Sequence, residues 1–246
     1  MTTADLLLAT FGIVLGGFLK GATGAGTPVV GVPILAIVFG VPKAVAIFSV
    51  LNLFSNVWQA WSYRNALARA RFVAVFAIAG ALGAAAGSVL LASLPTDVLM
   101  GAVATIVFLY VGVRLAHPDW KIERALGEAL AGPVGFVAGI MQGAGGISAP
   151  VSVTYLNAMR LDRPEFVATI SVFFFMMSVL QIPALAALGV LTWERAGLAF
   201  LAAIPLFGAM PLGEMAAKKV SKETFDKMII ALLVLVALRL GYTALA

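Results

Sequence analysis

Eight long apolar runs, separated by short polar or charged stretches, account for most of the chain. A membrane-spanning helix needs about 20 consecutive apolar residues, and six of the runs have roughly that length. The other two, 6–39 and 125–159, each cover about 35 residues, which is too long for one crossing at about 1.5 Å per residue. The six ordinary runs are 44–63, 72–94, 98–116, 166–191, 196–215 and 225–245.

Both long runs are interrupted near the middle by glycine clusters, at 21–28 and 143–150, and these clusters belong to an internal repeat. Shifting the chain by 122 residues aligns 17–50 with 139–172 without a gap, and 12 of the 34 aligned positions are identical. Identical glycines and prolines at fixed spacing indicate a duplicated unit. The sequence therefore predicts two repeats, 1–122 and 123–246, within one membrane domain.

The loop charges indicate how the two repeats are oriented. If each broken run is a pair of short helices that leaves and returns on one side, each repeat crosses three times and the second is inverted. Twelve Lys and Arg residues of the loops then lie on one side and three on the other, whereas four crossings per repeat put seven on each side. Positive loops stay in the cytoplasm, so the bias favours inversion, with both termini on the non-cytoplasmic side.

The predicted fold is an all-α integral membrane protein with two inverted-topology repeats. Each repeat has a glycine-broken pair of short helices plus three transmembrane helices, giving about eight to ten helical segments. Composition agrees, since 62% of the residues are hydrophobic, 11% are charged and the mean hydropathy is +1.07. With no Cys and a single His, neither a metal nor a cofactor is expected. The net charge of +5 is assigned to topology, so no nucleic-acid partner is expected.

Matched broken helices are typical of secondary transporters, in which the breaks line the substrate site near the bilayer midplane. Helix N-termini after Pro28 and Pro150 offer free N–H groups to an anion, and Lys20 adds a positive charge at membrane depth. Gln142 is the residue matched to Lys20. The substrate-binding residues predicted at the breaks are Lys20, Gly21, Thr23, Gly24, Gly26 and Thr27 in the first repeat and Gln142, Gly143, Gly145, Gly146 and Ser148 in the second.

A polar stripe in the span after each break adds to this site. Its residues are three or four positions apart, which places them on one helix face. Other interpretations remain open: hydrogen bonds between helices for the stripe, close packing for the glycines, and a Lys20 side chain that extends to the membrane surface. The predicted stripe residues are Ser49, Asn52, Asn56 and Gln59 in the first repeat and Ser171, Ser178 and Gln181 in the second, where Phe174 replaces the remaining polar position.

The duplicated pattern of glycine-rich break, proline, apolar run and Ala-x-x-Ser resembles the sulfite exporter TauE/SafE family over nearly the whole chain. The resemblance implies a multi-pass protein of the bacterial cytoplasmic (inner) membrane that exports small sulfur-containing anions such as sulfite, sulfonates and sulfoacetate. The usual run of consecutive glycines is changed here to Gly24-Ala-Gly26 and Gly145-Gly146-Ile-Ser148. These changes leave the predicted fold unaffected and the exact substrate open.

A channel or uniporter for this or another small anion stays open beside ion-coupled transport, whereas an enzyme is less well supported by the residues. An anion channel or uniporter needs no coupling ion, and export of an anion from a negative interior gains about 2.3 kcal/mol per charge per 100 mV. An intramembrane enzyme needs a nucleophile with a base, paired carboxylates or metal ligands at membrane depth, and the spans offer none of these sets. The expected partners are a small anion and the lipid bilayer, and a homo-oligomer is left open.

Overall fold

The computed structural model describes residues 2–25, 27–67, 69–116 and 120–217, together with Ile230, Val234, Leu238 and Tyr242. Apart from these four positions, the predicted run 225–245 lies outside the described residues. The described part contains α-helices and one short 3-10 helix, Arg64–Ala66. The α-helices are α1 (Thr3–Thr23), α2 (Thr27–Phe39), α3 (Val41–Ser62), α4 (Ala70–Ser93), α5 (Thr96–Ala116), α6 (Arg124–Ala129), α7 (Ala131–Gly145), α8 (Ala149–Ala158), α9 (Arg163–Ala187) and α10 (Trp193–Ala217).

Six of these helices, α1, α3, α4, α5, α9 and α10, are long and apolar enough to cross a membrane. Large apolar side chains such as Leu7, Leu201 and Ile204 are exposed on their outer faces. A water-soluble protein rarely shows so much apolar surface, whereas helices that face lipid require it. The protein is therefore an all-α, multi-pass membrane protein, and the predicted fold class is confirmed.

The two predicted breaks lie at matched glycines. Helix α1 ends at Gly24 and α7 ends at Gly146, and both glycines adopt the left-handed conformation, with φ of 82° and 72°. This conformation is strained for residues with a side chain. The Gly24 N–H donates to the Lys20 carbonyl and the Gly146 N–H to the Gln142 carbonyl, each at 2.8 Å. Both helices thus end with the same cap before the chain starts a new helix.

Each broken pair forms a hairpin that returns to the side from which it started. In the first pair, the middle of α1 packs against the middle of α2. The packing is so close that a Cβ on Gly12 would lie 2.7 Å from Ile34 Cγ2. In the second pair, the N–H of Ile122, before α6, donates to the carbonyl of Ala158 at the end of α8, at 2.9 Å. The first arm of the first hairpin is one helix, α1, whereas the first arm of the second hairpin is divided into α6 and α7.

Glycines allow two pairs of helices to pack with their backbones in contact. A Cβ on Gly83 of α4 would lie 2.2 Å from the Phe136 carbonyl oxygen of α7, and a Cβ on Gly143 of α7 would lie 2.2 Å from the Ala84 oxygen of α4. In the other pair, a Cβ on Gly21 of α1 would lie 1.9 Å from the Met210 oxygen of α10. Close packing through small residues therefore accounts for Gly21 and Gly143 as glycines.

The helix contacts occur in matched pairs. Helix α1 packs against α10 as α7 packs against α4, and α3 contacts α10 as α9 contacts α4. Helices α3 and α9 contact each other at the centre. These are the pairings expected if α1 to α4 correspond to α7 to α10. The repeat boundary at residue 122 stays a prediction.

Ion pairs mark two opposite ends of the helices. Arg69 pairs with Glu128 at 2.7 Å, which brings the start of α4 beside α6. At the other end, Lys43 pairs with Glu194 at 3.7 Å, which brings the starts of α3 and α10 together. Helix α3, with 22 residues and a length of about 33 Å, separates these ends. The charge argument places the two loops joined by Arg69 and Glu128 on one side of the membrane. It places the two loops joined by Lys43 and Glu194 on the other side.

Candidate functional site

Lys20 lies in the last turn of α1, directly before the first break, and its side chain is buried, with 1% exposure. The ammonium donates to Asn56 Oδ1 of α3 at 2.8 Å, and Asn56 Nδ2 donates in turn to the Asn52 carbonyl at 2.8 Å. Among the ion pairs of the described residues, none involves Lys20. The alternative in which Lys20 extends to the membrane surface is therefore wrong: its amino group is buried against a neutral amide.

The first break is held by short-range contacts and lies against the other repeat. Thr23 Oγ1 donates to the Leu19 carbonyl at 2.8 Å and accepts from the Ala25 N–H at 3.3 Å. A Cβ on Gly24 would lie 2.8 Å from Val167 Cγ2 of α9. Two predicted site positions are not covered: Gly26 lies outside the described residues, as does the side chain of Thr27, where α2 begins.

Arg163 is a second cation at the first break, and the sequence argument assigned it only to a loop. It is the first residue of α9, and its Nη2 donates to the Ala22 carbonyl at 3.4 Å. The guanidinium is exposed, whereas Lys20, two residues before Ala22, is buried. The first break therefore has one positive group inside the protein and another at the surface. Tertiary packing brings Arg163 there from 141 positions away, so no spacing in the sequence could have indicated it.

The second break has polar but uncharged residues. Gln142 is 2% exposed, and Gln181 Nε2 of α9 donates to the Gln142 carbonyl at 3.4 Å. A Cβ on Gly146 would lie 3.0 Å from Val45 Cγ2 of α3, and Gly145 lies beside α5. Ser148 is buried at the start of α8, and its Oγ accepts from Ser152 Oγ at 3.3 Å.

The polar stripes of α3 and α9 are buried and joined at one point. Ser171 Oγ donates to Gln59 Oε1 at 3.1 Å, which links the two helices. Ser49 and Ser178 donate to carbonyls of their own helices, at 2.8 Å to Ala46 and 3.1 Å to Phe174. Hydrogen bonding between helices therefore accounts for the Gln59–Ser171 pair, whereas these two serines do not connect helices in this way.

The predicted site residues form two polar clusters. The first cluster, around Lys20 and Asn56, adjoins the first break, and the second, around Gln142 and Gln181, adjoins the second break. Gly146 contacts α3 at Val45, which precedes Asn56 by 11 residues, or about 16 Å along the helix. The breaks therefore contact α3 at different levels, whereas the sequence argument placed them together at the midplane. The height along α3 at which each break makes contact depends on the register between helices, and the spacing of polar residues in the sequence does not show that register.

The fold and these clusters define a class of protein: a multi-pass membrane protein with two broken-helix hairpins that bring buried polar groups between its repeats. Comparison with known families makes this specific, since the family model described as "Sulfite exporter TauE/SafE" matches residues 8–240. The chain belongs to the sulfite exporter TauE/SafE family. Membership of this family of membrane transporters supports a role in transport, not in catalysis. No curated protein and no solved structure matches the chain.

Proposed function

We propose that this protein exports small sulfur-containing anions, of the class that includes sulfite, sulfonates and sulfoacetate, across the bacterial cytoplasmic membrane. The observation that carries the proposal is the buried ammonium of Lys20, whose only hydrogen bond among the described residues goes to the neutral oxygen of Asn56. An ammonium has three donors, and a buried charge is stable only when it is paired. An anion at the first cluster supplies the missing negative charge.

A sulfur oxoanion fits the chemistry of the first break. Its several oxygens accept charge-assisted hydrogen bonds, for which an ammonium and backbone N–H groups at the start of a helix are suitable donors. Helix α2 starts three residues after Gly24, so its positive end faces the same break as Lys20.

The proposed direction and topology follow from the loop charges. Arginines are concentrated at the end where Arg69 pairs with Glu128, and we assign this end to the cytoplasm by the positive-inside rule. Both termini then lie on the non-cytoplasmic side. Arg163 lies at the same end as the first break, so a cytoplasmic anion meets this exposed cation before it reaches Lys20. A homo-oligomer is compatible with the lipid-facing surface and forms no part of the site.

The test is anion efflux from proteoliposomes containing the wild-type protein, Lys20→Met or the matched control Lys43→Met. Lys43 is another lysine near a helix end, but it is partly exposed and pairs with Glu194. We expect sulfite or sulfonate efflux to be lost in Lys20→Met and retained in Lys43→Met. Efflux of Lys20→Met at the wild-type rate would contradict the proposal.

Protein stability distinguishes a lost site from a lost fold. Replacing an uncompensated buried charge with an apolar side chain of similar length removes a desolvation cost, so the thermal stability of Lys20→Met is expected to equal or exceed that of the wild type. Lys20→Met/Asn56→Leu also removes the acceptor that the first change leaves unpaired. Loss of efflux together with loss of the folded protein in both variants would count against a site at Lys20.

A further inference from the structure

The second cluster contains two side-chain acceptor oxygens without donors among the described residues. Gln142 Oε1 and Gln181 Oε1 are buried, and no described residue donates a hydrogen bond to either atom. The matched residues of the first repeat are Lys20 and Gln59, and both are paired: Lys20 donates to Asn56, and Gln59 Oε1 accepts from Ser171. An unpaired buried acceptor is costly and therefore rare in folded proteins. Asn52 Oδ1 and Thr169 Oγ1 are also buried without a partner among the described residues, but Gln142 and Gln181 are the two residues with unpaired oxygens that are hydrogen-bonded to each other.

The two glutamines that carry these oxygens are joined by a hydrogen bond at the end of a helix. Gln181 Nε2 donates to the Gln142 backbone carbonyl, so both side-chain amides adjoin the last turn of α7. The carbonyl groups of a last helical turn have no partners within the helix and form the negative end of its dipole. The unpaired atoms of the second cluster are therefore oxygens, and together with the end of α7 they favour a positive charge over an anion.

We propose that the second cluster binds a monovalent cation of the size of Na⁺, held by the side-chain oxygens of Gln142 and Gln181 and by carbonyls at the end of α7. In the first repeat the residue matched to Gln142 is Lys20, whose ammonium is a cation attached to the chain. The second repeat has no such side chain and binds a free cation instead. Broken helices of secondary transporters use their C-terminal carbonyls for coupling ions in this way.

The chemistry of the ligands limits which cation fits. Neutral amides do not take up a proton near neutral pH, so the cluster is not a proton site. Protein sites for divalent ions such as Ca²⁺ usually include carboxylates, and the described residues contain no group of three or more acidic or His side chains that could hold a metal. Neutral oxygens alone suit a monovalent ion, whose removal from water costs less than that of a divalent one.

Binding is tested with the purified protein and Na⁺ alone, in the absence of any transported anion. We expect the unfolding temperature to be about 3 to 6 °C higher in NaCl than in choline chloride of equal ionic strength, when Na⁺ is tenfold above its Kd. Gln142→Leu and Gln181→Leu remove the oxygens and are expected to lose this difference. Gln59→Leu is the matched control, because the oxygen that it removes is already paired with Ser171, and it is expected to keep the difference.

A second variant supplies the cation covalently. Gln142→Lys makes the second break resemble the first, so its unfolding temperature is expected to be the same in NaCl and in choline chloride. An equal unfolding temperature of the wild type in the two salts would overturn the proposal, with water then filling the site. A salt difference that survives in Gln142→Leu, Gln181→Leu and Gln142→Lys would overturn it as well.

Coupling of this cation to transport rests on the proposed function, whereas its binding does not. If the proposal is correct, efflux of sulfite from proteoliposomes depends on Na⁺ for the wild type and not for Gln142→Lys. Loss of the Na⁺ effect on stability would refute the cation site and leave anion export standing. Normal efflux in Lys20→Met would refute the anion site and leave the cation site standing.

Discussion

Gly143→Ala is the substitution for which the structure gives the clearest magnitude. The added Cβ would lie 2.2 Å from the Ala84 carbonyl oxygen and 2.7 Å from the Ser88 nitrogen, both in the backbone of α4. Ordinary contact begins at about 3.4 Å, so α4 and α7 must separate by about 1 Å. Overpacking of this kind costs about 1–3 kcal/mol. The better helix propensity of alanine offsets up to about 1 kcal/mol of this cost.

The expected net loss of about 1–2 kcal/mol corresponds to a decrease of about 2–8 °C in unfolding temperature for a chain of this size. Gly208→Ala is the matched control, because Gly208 also lies within a helix, α10, and its Cβ would meet no atom of the described residues within 4 Å. We expect this control to unfold at or above the wild-type temperature. The measurement is thermal unfolding of both variants in detergent, followed by tryptophan fluorescence.

The outcome separates two roles for Gly143. If Gly143→Ala unfolds at the same temperature as Gly208→Ala, the close contact of α4 with α7 does not exist, and Gly143 is a glycine because of ligand binding. If Gly143→Ala is destabilised and its remaining folded fraction still exports anions, the glycine serves helix packing. The structure predicts the second result, since the break itself lies three residues later, at Gly146.

Three further changes test other parts of the structure. Arg163→Gln is expected to lower kcat/KM for anion efflux and to weaken its dependence on ionic strength, because an exposed charge acts mainly on the rate of encounter; unchanged salt dependence would count against this. Gly24→Ala is expected to lower the unfolding temperature, because a left-handed residue with a side chain costs about 1–2 kcal/mol; a temperature equal to that of the wild type would contradict the cap. Ser171→Ala leaves Gln59 Oε1 without its donor and is expected to cost about 1–3 kcal/mol in the free energy of unfolding, measured by denaturant titration; Ser178→Ala, which breaks only a bond within its helix, should cost less.

The fold could be predicted because its main constraints are local. Apolar length determined which segments can cross, and the glycines at 24 and 146 marked the breaks, since a left-handed cap requires a residue without a side chain. The duplicated pattern then related one break to the other. Each of these signals lies within a single stretch of about 35 residues and needs no knowledge of tertiary contacts.

The site was harder to predict because its composition depends on packing between distant helices. Lys20 was identified from its depth in an apolar run, but its partner Asn56 is 36 positions away on α3. Arg163 reaches the first break from 141 positions beyond Ala22, and a loop arginine looks the same in the sequence whether or not it does so. The separation of the two clusters along α3 likewise depends on helix register. Spacing within one helix indicates which residues share a face and not the level at which that face meets its neighbour.

The central claim, that an anion binds beside Lys20 at the first break, is tested most directly by locating a bound anion. Bromoethanesulfonate carries a sulfonate and a bromine atom whose anomalous scattering identifies it in crystals of the protein. The account predicts a bromine peak at the first break, with the sulfonate within hydrogen-bonding distance of Lys20 Nζ, and no such peak in Lys20→Met. A peak beside Gln142 and Gln181, with none at Lys20, would contradict it.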